Sequence, residues 1–221
     1  HNSGDYQRRN LELCRMSMLV KHLKEINKHD KHLFQYFRKE LRKADTTDGF
    51  FGTRFEINIA ASLIRKKVSF KKQESPDFIV YYDVDEIGIE CGSVRIRKKS
   101  NHSDLFYKIG SAIRSKGSKH YSLTSNALFI DITNILFNIN NLGEKPDTRK
   151  AVEVSEKCLE KVNFGSVVLF NYLLNEKKNR YESTYLRIDS PNIEEKLKIF
   201  LDQNYPKAGY TVDQFIIPHE G

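Results

Sequence analysis

Cysteine is scarce in this chain: 221 residues hold three, Cys14, Cys91 and Cys158. They stand too far apart in sequence for a disulfide framework or a compact all-cysteine zinc site, and such usage suits a reducing cytoplasm, the expected location. Proline (5) and glycine (11) are too few for a collagen-like or low-complexity linker protein. No apolar run approaches the roughly 18 residues that a membrane span needs, so no membrane partner is expected. No apolar segment follows the early arginines, so no signal peptide is expected either. The chain begins at His1 without Met, and His1–Tyr6 reads as a tag remnant or as the cut end of something longer. P-loop, HExxH and GxSxG motifs are absent.

What is present is polar but not disordered. Hydrophobic residues make up 39% and charged residues 30%, yet 14 Phe and 11 Tyr supply the material of a core. The mean hydropathy is −0.58 and the pI about 9.2. The net charge of +8 is unevenly spread. Residues 94–120 hold Arg95, Arg97, Lys98, Lys99, Lys108, Arg114, Lys116 and Lys119 against Asp104 alone, a local excess of seven. A concentrated basic stretch attracts a polyanion through counterion release, and nucleic acid is the commonest such partner. The plainer alternatives are a solvated lysine-rich face or an acidic protein partner.

Apolar spacing predicts helix over 8–44, with a break at Asn27–Asp30, and a second helix over 52–67. Thr46–Gly49 reads as a turn or a helix start. Strands are expected at Val68–Lys72, Phe78–Tyr82, Ile87–Ile96 and Ala127–Ile132, with a helix from an Asn101–Asp104 cap to Lys116 between the last two. Beyond a loop at Asn138–Asp147, a helix is expected over 148–163, strands at Ser166–Leu174 and Tyr181–Ile188, a helix at Ile193–Leu201 and a weak strand at Val212–Ile217. This is a mixed α/β pattern: a basic helical extension over 1–50, then an α/β domain over 51–221.

Three acidic residues sit where a purely structural protein would not put them. Glu56 falls on the apolar face of its helix with Ile59, Ala60 and Leu63, where a carboxylate is costly unless paired or bound to a cation. A structural role would pair it with a neighbour such as Arg54. Asp77 follows Pro76 at the mouth of a strand, a position that an ordinary turn also explains. Glu90 lies inside Ile87–Val94, and Gly88 and Gly92 flank it on its own face, which suggests a space that something else occupies. A water-facing edge strand is the alternative. Adjacent antiparallel strands would bring Asp77 and Glu90 together. Converging carboxylates of this kind make an oxygen site for Mg²⁺ or Mn²⁺.

At these residues the sequence resembles the PD-(D/E)XK nuclease-like superfamily, the restriction-endonuclease-like fold. The resemblance covers about residues 50–134 and rests on Gly52–Glu56, Ser75-Pro76-Asp77-Phe78, Ile89-Glu90-Cys91, the helix before Lys116 and Lys119, and the strand Leu128–Thr133. It implies an α-β-β-β-α-β core and a C-terminal α/β addition over about 148–217. It also implies an Mg²⁺- or Mn²⁺-dependent endonuclease of restriction or defence type, acting on DNA rather than RNA. By the resemblance Glu56, Asp77 and Glu90 are metal ligands and catalytic residues. The family's lysine, two residues past the motif acid, is replaced by Gly92. Either its role has moved to the following helix, where Lys108, Lys116 and Lys119 lie within about an 80° arc and Lys116 is preferred, or the chain is not a nuclease and these lysines contact a backbone or solvent. Arg95, Arg97, Lys98, Lys99, Lys108 and Lys119 would contact nucleic acid. Cutting both strands would take two active sites, which a homodimer provides. The alternative is an inactive module of this fold that binds nucleic acid or a protein.

Other side chains point to structure. His22, His29 and His32 lack further zinc ligands and read as surface histidines. Cys91 points away from Glu90 into a core. Asp131 reads as a hydrogen-bonded structural carboxylate beside Thr133.

Overall fold

The computed structural model describes residues 3–96, 105–141, 148–175 and 180–207. These form helices α1 (Ser3–His29), α2 (Lys31–Lys43) and α3 (Thr47–Arg65), strands β1 (Ser69–Lys72), β2 (Phe78–Tyr82) and β3 (Asp85–Ser93), helix α4 (Leu105–Gly117), strand β4 (Asn126–Asp131), helices α5 (Thr133–Asn141) and α6 (Thr148–Leu159), strands β5 (Ser166–Asn175) and β6 (Arg180–Asp189), and helix α7 (Glu195–Asn204).

The helix expected over 8–44 breaks at Asp30. Its backbone turns extended, and its side-chain Oδ1 accepts the N–H groups of His32 and Leu33 at 2.8 and 3.0 Å, so it caps a new helix. Thr46 does the same for α3, accepting from Gly49 N–H at 3.1 Å. Helix α5 departs from expectation, since Asn138–Asp147 reads from sequence as a loop. Asp131 Oδ1 accepts from Thr133 N–H at 2.9 Å and turns the chain out of β4 into this helix. The segment Val212–Ile217, expected as a strand, lies outside the described residues, as does the Asn101–Asp104 cap.

The strands form one mixed six-stranded sheet in the order β1-β2-β3-β4-β5-β6. Pairing is antiparallel from β1 to β3, parallel from β3 to β5, and antiparallel again between β5 and β6. The run α3-β1-β2-β3-α4-β4 follows the expected element order. Helices cover both faces. On one, Ile87, Ile89 and Cys91 of β3 pack with Phe55 and Ile59 of α3 and Phe200 of α7. Leu19 and Ile26 of α1 and Leu33 and Phe37 of α2 enter that same core. On the other face Leu128 and Ile130 of β4 pack with Ile109 and Ile113 of α4, Ile135 of α5 and Leu159 of α6. Among the described residues no helix is long and apolar enough to cross a membrane.

Candidate active site

The site lies in a gap in the sheet. β2 starts at Phe78, opposite Ile89, whereas β3 continues beside β4 as far as Ser93, opposite Asp131. Past Ile89, β3 therefore has no β2 neighbour. Asp77 stands one register step before Phe78, the step that faces Glu90. Its Oδ2 accepts the Cys91 N–H at 2.7 Å, so a side chain fills the place of the missing strand.

Side chains from both faces of the sheet converge on this gap. Strand alternation puts Cys91 into the α3-side core and turns Glu90 toward α4. Glu90 is 1% exposed, in a central strand rather than at an edge. Lys116 Nζ donates to Glu90 Oε1 at 2.7 Å, and Lys119 Nζ to the same oxygen at 2.9 Å. On the α3 side Glu56 Oε2 lies 3.0 Å from Lys72 Nζ, and Asp77 Oδ1 lies 3.1 Å from it. Lys72 also donates to the Gln73 carbonyl at 2.8 Å. Glu56 thus pairs with Lys72, while Arg54 pairs instead with Glu12 at 2.8 Å.

The glycines beside Glu90 have different uses. A Cβ at Gly88 would run into Asn126 Oδ1 and lie 2.9 Å from Pro76 Cγ, so this space is filled by packing. Among the described residues, a Cβ at Gly92 would meet only Lys116 Cε, at 3.8 Å. The space above Gly92 is the one through which Lys116 reaches Glu90.

Burial sets the electrostatics. It raises the Glu56 carboxyl to about 7, with the Asp77 charge adding and Lys72 opposing. Burial likewise raises Asp77, with Lys72 opposing and the Glu90 charge adding. Burial alone would lower Lys72, but Glu56 and Asp77 outweigh it and hold the ammonium protonated. The same balance raises Lys116, where the Glu90 hydrogen bond wins. Burial also pushes the Cys91 thiol up, which makes it an inert core group.

Sequence reasoning missed Lys72, the most central cation. Its only sequence signal is strand parity, which puts it on the same face as Phe70; the structure buries its side chain to 6% exposure. Lys108, on α4, is not among the partners of these carboxylates. Arg95 lies with its guanidinium carbon 3.5 Å from the Phe51 ring centroid. Arg97, Lys98 and Lys99 lie outside the described residues. His29 and His32 are exposed, but His22, expected at the surface, is 4% exposed and shares a 2.9 Å hydrogen bond from Nδ1 to Asn58 Oδ1. Asp131 is structural as expected; its second partner is Arg15 of α1, a buried ion pair.

The donor chemistry fits a hard divalent cation. Three carboxylates supply oxygen, and Glu90 Oε2 is buried with no hydrogen-bond partner. Among the described residues no three His, Cys, Asp or Glu side chains stand close enough to form a metal group. Lysines stand beside each carboxylate instead: Lys72 at Glu56 and Asp77, Lys116 and Lys119 at Glu90. No protein-family model matches the chain, and no curated protein matches it.

Proposed function

We propose that the chain is a metal-dependent phosphodiester hydrolase acting on DNA, with a core of the PD-(D/E)XK nuclease-like kind. The observation that carries this reading is Lys116, which rises from α4 over Gly92 to Glu90. The lysine absent from the motif thus has a counterpart on the next helix, beside the same carboxylate.

Glu56, Asp77 and Glu90 are the residues that would hold Mg²⁺ or Mn²⁺. The cation would supply Lewis acidity toward a phosphate oxygen. The chain's own groups have separate tasks. Lys116 and Lys119 would stabilise the charge that develops on phosphorus-bound oxygens. Lys72 joins Glu56 to Asp77 through ion pairs of 3.0 and 3.1 Å. The remaining basic residues of 94–120 would grip backbone phosphates.

A second reading is an inactive module of this fold that binds nucleic acid or a protein. The observation favouring it is that three lysines already neutralise the three carboxylates. One experiment separates the two. Supercoiled plasmid, single-stranded DNA and RNA are incubated with the protein in Mg²⁺ or Mn²⁺, beside an Asp77→Ala/Glu90→Ala variant. Cleavage by the parent protein alone is expected. Equal cleavage by the variant removes the mechanism, and salt-sensitive binding without cleavage establishes the inactive module.

A further inference from the structure

A groove of about 700 Å³ runs between α2 and β1, within the roughly 300–1,000 Å³ typical of ligand sites. We propose that it takes an unpaired stretch of nucleic acid and leads it to the carboxylate–lysine cluster. The destination of that strand rests on the hydrolase reading above; the groove's affinity for it does not.

Lys72 links the groove to the cluster: it is one of the groove's lining residues, and its ammonium joins Glu56 to Asp77. Farther out the wall carries Lys67 and Lys71, both exposed, and among the described residues neither has a carboxylate partner. The acidic residue of the described lining, Asp30, has its carboxylate engaged as the cap of α2. The outer wall of the groove therefore presents two lysines without carboxylate partners among the described residues, a charge that suits a phosphate backbone.

Lys67 adds a second argument. Its φ is 57°, in the left-handed region that glycine or asparagine adopts at lower cost. The turn from α3 into β1 is thus made by a residue that also carries a charge into the groove wall. Across the groove stands Tyr36, 37% exposed, its ring centroid 5.5 Å from Lys72 Nζ. An accessible aromatic ring beside lysines is the arrangement on which unpaired bases stack. Bases within a duplex are already stacked and cannot use it.

The test measures fluorescence anisotropy of a short labelled oligodeoxythymidylate in EDTA, where nothing is cleaved. Lys67→Asn/Lys71→Gln should reduce the slope of log affinity against log salt by about 1.4, roughly 0.7 for each phosphate no longer neutralised. Tyr36→Leu should weaken binding about five- to a hundredfold and leave that slope unchanged, while Tyr36→Phe binds as the parent does. Thermal melting checks that the variants fold. An unchanged slope, or full affinity in Tyr36→Leu, overturns the proposal. So does polyglutamate that competes as well as the oligonucleotide, which would mark an acidic-protein surface. Plasmid cleavage by the same proteins reports on the hydrolase reading separately. Cleavage with groove variants that bind normally removes only the groove; no cleavage with variant-sensitive binding keeps the groove and removes the hydrolase.

Discussion

Lys116 Nζ lies 2.7 Å from Glu90 Oε1, across a sequence separation of 26 residues, and its Cε stands 3.8 Å from where a Gly92 side chain would begin. The glycine and the distant lysine are two halves of one arrangement. A methyl group at position 92 would just touch the Lys116 methylene, and a longer side chain would share its path.

That arrangement predicts a transplant. Lys116→Ala should lower the single-turnover cleavage rate about 10²–10³-fold, the typical cost of losing a charge-stabilising donor. Adding Gly92→Lys should recover at least about tenfold of it, because the new ammonium starts two residues from Glu90 on the same face. A folded double variant with no recovery would break the link between the two positions.

Glu90 is buried, and both its ion-pair partners are lysines of the α4 region. Lys116→Met/Lys119→Met should destabilise the protein by about 3–5 kcal/mol at neutral pH, since a buried carboxylate loses its counter-ions. Glu90→Gln in that background should restore much of the loss. Urea unfolding reads both.

Position 88 and position 92 should respond oppositely to one methyl group. Gly88→Ala drives a Cβ into Asn126 Oδ1 and Pro76 and should cost at least about 1–3 kcal/mol. Gly92→Ala meets one lysine methylene at ordinary van der Waals distance and should leave stability within about 0.5 kcal/mol. Melting curves of the two variants decide this.

His22 makes stability depend on pH. Burial lowers its pKa below 6.5; the Asn58 hydrogen bond opposes this, Arg65 and Lys21 add to it, and Glu25 opposes it. The unfolded chain therefore binds a proton that the folded chain resists. Stability is present above pH 6.5 and falls as pH drops below it, down to the lowered folded value. His22→Gln should flatten that part of the profile, measured by denaturation from pH 8 to pH 5; an unchanged slope would remove His22 as its source.

Much of this architecture is legible in the sequence because it is written locally. Period-two and period-3.6 apolar patterns locate β2, β3, β4, α3 and α6, and Asp30 announces the break between α1 and α2. The approach of Asp77 to Glu90 follows from two short strands and one turn. What is not legible depends on residues far apart in the chain. Arg15 and Asp131 pair across 116 positions, and neither residue advertises the other. Lys72 sits in a short, charged stretch that reads as a solvated edge, and only packing against α2 and α3 buries it. Helix α5 is asparagine-rich and begins just past the end of β4; its start is set by Asp131, whose capping role appears only once β4 is in place.

The Cys91 amide has an uncommon supporter. Its hydrogen-bond acceptor is the carboxylate of Asp77, where a strand carbonyl would ordinarily stand. One side chain is thus both a chemical group of the site and a rung of the sheet. A proton, a cation or a substitution that draws Asp77 away loosens the edge of β3 in the same act. The occupancy of the cluster and the fraying of that edge become a single variable, and the NMR shift and exchange rate of one backbone amide report it without any substrate.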